Sequence, residues 1–188
     1  LLTEYIPFKV KKQLVEQSIK QNKSLVVSGI LQRAEAPNQN QRVYPKAILK
    51  REVQNYIDGP VKEKRALGEL DHPESSVINL QNVSHNITEV WWEGDDVMGK
   101  VEILSTPAGN ILKELFANGI TVGISSRGMG SVQDMSEGTV EVQDDFELLC
   151  CSFPKNFHEK TWFFQNSFIC MSSNKGYKTI KLYERLKI

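Results

Sequence analysis

Residues 119–131, Gly-Ile-Thr-Val-Gly-Ile-Ser-Ser-Arg-Gly-Met-Gly-Ser, concentrate the groups in this chain best suited to do chemistry. Ile120 to Ile124 predicts a short buried strand that delivers Ser125, Ser126 and Arg127 into a tight bend. Glycines at 123, 128 and 130 would let backbone approach closely there. A hydroxyl at a strand end, followed by free N–H groups in a glycine-rich turn, suits acyl transfer. One group attacks, and the neighbouring N–H groups hold the developing oxyanion. The same residues also fit an ordinary strand and turn.

A serine nucleophile needs a base to take its proton and a third group to orient that base. The chain has three histidines, His72, His85 and His158. His72 precedes Pro73, which disfavours helix and leaves the histidine extended at a strand end. His85 is in phase with Val83 and Ile87 and reads as a packed side chain. His158 lies in a poorly patterned stretch, so His72 ranks first. Residues 139–149 alternate as one strand. Val140, Val142, Asp144, Phe146 and Leu148 share one face, which puts Asp144 in the apolar phase. A carboxylate there needs a partner, either as a satisfied structural acid or as part of a site.

Other chemistries are weaker. Glu69, Asp71, His72 and His85 are metal-type donors, but not at the spacing of a helix-borne histidine pair, and Cys150-Cys151 lacks a CxxC partner. Gly128-Met-Gly130 lacks the lysine and following helix of a phosphate loop. The Gly-x-Ser-x-Gly elbow of small-ester hydrolases is absent.

The elements that would position these residues follow in chain order. Residues 1–23 suggest a loosely amphipathic helix through Val10, Leu14 and Ile19. Ser24 to Leu31 predicts a strand, and Glu35 to Arg42 a polar surface loop. Leu49, Val53 and Ile57 recur at helical spacing, so 45–57 predicts a helix stopped by Asp58-Gly-Pro60. Ala66 to Pro73 is a short strand, and Val77 to Trp92 a long one. Glu93-Gly-Asp-Asp96 predicts a hairpin turn into a partner strand, Val97 to Leu104. Thr106-Pro107 caps a helix whose apolar face is Ile111, Leu112, Leu115 and Phe116, and Asn118-Gly119 ends it. Several closely spaced strands with two helices imply an α+β fold, a small, mostly antiparallel β-barrel or sheet with flanking helices.

Composition excludes some classes. Lys+Arg and Asp+Glu both number 23, so no basic excess points to nucleic acid or an anionic membrane. No apolar run is long enough to span a bilayer, and residues 1–5 do not form a secretory signal. Three cysteines, two of them adjacent, point to free thiols in a reducing compartment.

Three blocks carry a resemblance: Asn38-Gln-Asn-Gln-Arg-Val-Tyr-Pro45, Gly68-Glu-Leu-Asp-His-Pro73 and Gly123-Ile-Ser-Ser-Arg-Gly-Met-Gly-Ser131. With the Trp91-Trp92-Glu-Gly-Asp-Asp-Val97 hairpin between them, the chain resembles the prohead core proteases of T-even-type tailed phages. These are capsid maturation serine proteases with a fold like herpesvirus assemblin. The resemblance runs from about Leu25 to Leu149.

It implies His72 as catalytic base and Ser125 as nucleophile, with Ser126 as the fallback. The acidic pair before Phe146 lies where that family carries an acid, so Asp144 is the expected orienter, with Asp145 behind it. Backbone N–H groups near Arg127 and Gly128 are the expected oxyanion donors. The implied substrates are phage scaffold and capsid proteins, cut after glutamate. The implied setting is a homo-oligomer in the prohead interior, in the cytoplasm of the infected bacterial host, with no cofactor, metal, nucleic acid or membrane. The alternative is a non-catalytic prohead core or scaffold component that keeps the protease fold. The pattern stops at Cys150-Cys-Ser-Phe-Pro154. The expected organisation is therefore an N-terminal segment 1–23, a protease domain 24–150 and a diverged tail 151–188, for which a self-cleaved pro-segment or a shifted frame is equally compatible.

Overall fold

The computed structural model describes residues 2–8, 10–21, 23–71, 76–135, 138–154, 171–172 and 177–178. Two sheets carry the fold. The first is four-stranded and antiparallel, with order β2-β6-β5-β4, where β2 is Leu25–Arg33, β4 is Leu67–Glu69, β5 is Val83–Glu93 and β6 is Asp96–Ile103. In β6 the burial alternates strictly. Val97, Gly99, Val101 and Ile103 face in, while Asp96, Met98, Lys100 and Glu102 are half exposed, the period of two that places one face on a core. The turn at Gly94, whose φ is +63°, closes the β5–β6 hairpin.

The second sheet is three-stranded, with β7 (Val122–Met129) in the centre, flanked by β1 (Leu2–Phe8) and β10 (Glu147–Ser152), all antiparallel. A smaller sheet joins β3 (Arg42–Val43), β9 (Val140–Val142) and β8 (Val132–Asp134), with β3 and β9 parallel. Among the described residues the α-helices are α1 (Lys12–Lys20), α2 (Lys46–Tyr56) and α3 (Pro107–Ala117). Thr106 caps α3, its hydroxyl accepting from the Gly109 N–H at 3.0 Å, with Pro107 in the first turn. Gly119, at φ +72°, ends it. Short strands Met171–Ser172 and Tyr177–Lys178 pair with each other.

The main core packs Phe8, Val27, Ile87, Val101, Leu112, Phe116, Ile124 and Phe153 between the two large sheets and α3. A second core gathers Tyr44, Leu49, Val53, Val142 and Phe146 between α2 and the end of β10. The architecture is the expected α+β one in its sheet form, since no barrel closes.

Four local expectations are corrected. Residues 2–8 are a strand rather than the start of a helix, and helix begins only at Lys12. Because β1 flanks the central strand of a sheet, the boundary expected at residue 24 falls inside the folded unit. Asp58-Gly-Pro60 does not stop α2. The chain continues to Val61 through a wider turn, in which the Lys62 N–H donates to the Ile57 carbonyl at 3.0 Å, and this i→i+5 spacing accommodates Pro60. Finally, 139–149 is two strands. Gln143 to Phe146 is a turn, closed by the Phe146 N–H on the Gln143 carbonyl at 3.1 Å.

Candidate active site

β7 is buried from Val122 to Gly128, on both of its faces, as a strand covered on two sides must be. Its alternation sorts the side chains. Val122 and Ile124 face the main core. Ser125 and Arg127 therefore share the other face. The neighbouring strand obeys the same rule. Ser152 lies opposite Ser125 and Cys150 opposite Arg127, while Cys151, opposite Ser126, belongs to the core. The sheet thus has one apolar face and one buried polar face made of Ser125, Arg127, Cys150 and Ser152, each at most 2% exposed.

Glu69, at the end of β4, comes onto this polar face. Its Oε2 is 2.5 Å from Arg127 Nη2, and both side chains are wholly buried. Its Oε1 accepts the Asn79 N–H at 2.9 Å. Arg127 also donates from Nε to the Cys150 sulfur at 3.1 Å. Burial raises the Cys150 thiol pKa, and the Arg127 charge offsets this only in part, which keeps the thiol protonated and unreactive.

Beyond Glu69, β4 crosses from one sheet to the other. Leu70 bridges in parallel to Phe153, with the Phe153 N–H donating to the Glu69 carbonyl at 2.9 Å and the Asp71 N–H to the Phe153 carbonyl at 2.8 Å. Asp71 then takes φ +116°, a conformation that L side chains rarely adopt. Strained backbone of this kind persists where surroundings enforce it, and it stands here immediately before His72. His72 itself lies outside the described residues. The observed geometry gives the described residues on either side of it in the chain: Glu69 to Asp71 before it and Asn79 after it, both bound to the strand assembly that holds Ser125.

Two expected roles meet a different geometry. Arg127 and Gly128 are not in a bend with free N–H groups. They lie within a continuous central strand, paired with Thr3 and Leu2 on one side and Cys150 and Leu148 on the other. They are paired in the ladder on both sides, with a register shift between Leu148 and Cys150, rather than standing in a glycine-rich bend. The glycines serve packing instead. A Cβ at Gly128 would run into the Phe146 ring, and one at Gly130 would meet the Phe146 backbone at 2.8 Å.

Asp144 is the second correction. It sits on the Gln143–Phe146 turn, not in the apolar phase of a strand, and its side chain is 88% exposed. Its partner is Arg51, whose Nη1 is 2.5 Å from Asp144 Oδ1. Asp145 is likewise exposed and accepts from the Ser131 N–H and hydroxyl, both at 2.8 Å, locking the turn against the end of β7. An acid held by a surface arginine on a turn does not occupy the apolar strand phase expected for it.

His85 is a packed side chain, as its phase indicated. It is wholly buried, its Nδ1 is 2.9 Å from Ser84 Oγ, and its ring stands edge-on to Phe153 at 4.7 Å. Burial lowers its pKa to about 3, and the nearby Cys151 carbonyl counters this only in part. The sign follows from linkage. The unfolded chain protonates His85 below its ordinary pKa of 6.5, while the folded chain does so only near 3. Stability conferred by the neutral ring is complete above pH 6.5 and is lost as pH falls, at about 1.4 kcal/mol per unit. Urea unfolding from pH 6.5 to 4.5 is expected to show that excess slope in the wild type relative to His85→Gln.

Among the described residues, no three histidine, cysteine or acidic side chains gather as a metal site. Nor is any helix there long and apolar enough to cross a membrane. Cys170 and His158 lie outside the described residues. Sequence reasoning missed the Glu69–Arg127 pair. Its signal was present: each residue is the only charge in a short, otherwise uncharged strand, and such isolated opposite charges need one another when buried.

Comparison with known proteins agrees with this geometry. The family described as prohead core protein serine protease matches residues 7–152, from within β1 to the last residue of β10. The prohead core protein protease of Enterobacteria phage T4 is 38% identical over 126 residues, covering 66% of this chain and 59% of that protein, so the chain spans about three-fifths of its length. The solved structure of the bacteriophage T4 capsid assembly protease matches with a TM-score of 0.72 at 29% identity, over 83% of this chain and 97% of that one. With its central serine-bearing strand and its Gly-Glu-Leu-Asp-His-Pro segment both inside the matched region, the chain belongs to the prohead core protein serine protease family.

Proposed function

We propose that this chain is a serine endopeptidase that cuts prohead proteins during capsid assembly, with Ser125 as nucleophile and His72 as base. The observation that carries this reading is the shared polar face of the central sheet. Ser125 and Arg127 project to the same side of β7, and Arg127 reaches Glu69, three residues before His72. The two groups thus come from segments locked to one another, although 53 positions separate them in the chain. Ser126 is the weaker nucleophile, because it faces the apolar core with Cys151 opposite.

In the proposed reaction, Ser125 Oγ attacks a peptide carbonyl while His72 accepts its proton. His72 then returns that proton to the leaving amine, and water resolves the acyl-enzyme by the reverse steps. Asp144 and Asp145, the expected orienters, make their contacts with Arg51 and Ser131 at the surface. The names of the relatives support prohead core and capsid proteins as substrates and the prohead as the site of action; scaffold proteins as further substrates, self-association and a setting within the infected host belong to the same proposal.

The test is cleavage of prohead core and capsid proteins by the full chain, followed on gels. Wild type is expected to process them, and His72→Ala to do so about 10⁴-fold more slowly or worse. Undiminished processing by His72→Ala removes the base assignment. A wild type that binds these proteins without cutting them supports the non-catalytic core component instead.

A further inference from the structure

We propose that Glu69 and Arg127 act as a positioning pair that sets the segment leading to His72, Glu69 to Asp71, against the Ser125 strand, a role that rests on the reading of His72 as base and Ser125 as nucleophile.

One residue makes three connections at once. Through its backbone, Glu69 leads by way of Leu70 and Asp71 to His72. Through Oε1 it holds the Asn79 N–H at 2.9 Å, beyond His72 in the chain. Through Oε2 it holds Arg127, two residues from Ser125 on the same face of β7, at 2.5 Å. Residues on either side of His72 are thereby held to the nucleophile strand by a single side chain. Backbone bonds reinforce the frame: the Leu70 N–H donates to the Asn82 carbonyl and the Asp71 N–H to the Phe153 carbonyl, both at 2.8 Å. The strained φ of Asp71 shows that this frame imposes a conformation on the residue next to His72.

Stability does not account for the pair. Two fully buried charges lose their hydration, and apolar residues of similar volume commonly do as well or better in such places. A buried pair of this kind is explained by what it specifies, here the placement of the Glu69–Asp71 segment against the Ser125 strand. Placement errors of about 1 Å reduce catalysis on the order of a hundredfold, so the device has a large kinetic consequence. Glu69 and Arg127 are positioning residues; neither is assigned a contact with the substrate.

The experiment uses the full chain and a fluorophosphonate that phosphonylates activated serines, with fluoride leaving as the Ser125 Oγ–P bond forms and the serine proton passing to the base. The double variant Glu69→Leu/Arg127→Met is expected to melt within a few degrees of wild type. Its maximal labelling rate at Ser125 should nevertheless fall at least a hundredfold, with the half-saturating reagent concentration changed less than threefold. The labelling pH profile should also shift its midpoint, because the base sits in altered surroundings. A purely structural pair would leave rate and profile unchanged in a folded variant, and that result overturns the proposal. Arg127→Lys keeps the charge but not the fork that reaches both Glu69 and Cys150, so it is expected to fold and to label about tenfold more slowly. Wild-type labelling by folded Arg127→Lys likewise overturns the proposal. Absence of Ser125 labelling in the wild type instead removes the nucleophile reading beneath it, so the two failures are distinguishable.

Discussion

A Ser125→Ala protein is expected to cut prohead proteins about 10⁴- to 10⁶-fold more slowly than wild type, while folding normally. Among the described residues, no neighbouring hydroxyl is placed to substitute. Ser126 points to the opposite face of β7, and Ser152 lies across the ladder on another strand. Loss of the hydroxyl removes covalent catalysis and whatever proton transfer depends on it, leaving only binding and electrostatic contributions. Stability should change by about 1 kcal/mol, the scale of one buried hydroxyl and its hydrogen bond. Ser126→Ala, in contrast, should retain activity. Gel time courses and thermal melts of the two variants check both halves of this expectation, and full activity in Ser125→Ala rejects it.

Breaking the buried ion pair on one side only is expected to have the largest effect on stability. Arg127→Met leaves the Glu69 carboxylate wholly buried with the Asn79 N–H as its one remaining partner among the described residues. An uncompensated charge at such a site costs about 3–5 kcal/mol, a large part of the total stability of a domain this size. Adding Glu69→Leu removes the stranded charge and is expected to restore most of that loss. The comparison needs urea unfolding of the two single variants and the double variant. If Arg127→Met is as stable as wild type, the pair is not buried in solution as it is here. The contrast with Ser125→Ala is instructive, because one substitution removes activity without stability and the other removes stability first.

Much of the scaffold was legible because its signals are local. The capped start of α3 at Thr106-Pro107, its glycine stop, the Gly94 hairpin and the alternation of β6 all depend on residues close together in the chain. The errors share a different cause. Leu2 to Phe8 becomes a strand because β7, 120 residues away in sequence, offers it an edge. The alternation from Thr139 to Leu149 was real, but Asp144-Asp145 carries turn chemistry, and its Ser131 and Arg51 partners lie outside that stretch. Asp144 consequently moved from an imagined core to the surface. The glycines of the opening stretch were read as letting backbone approach closely to shape an oxyanion site, and at Gly128 and Gly130 the close approach is that of Phe146. Of the proposed site, the sequence blocks supplied Ser125 and His72. The Glu69–Arg127 bond that joins those two parts spans 58 positions and has no local signature beyond two lone charges.

The most direct measurement is peptide mapping of the full chain after reaction with a fluorophosphonate. The account predicts one added phosphonyl group, on Ser125, and almost none in His72→Ala. Labelling of Ser126 or another residue, or unchanged labelling of Ser125 in His72→Ala, would contradict it.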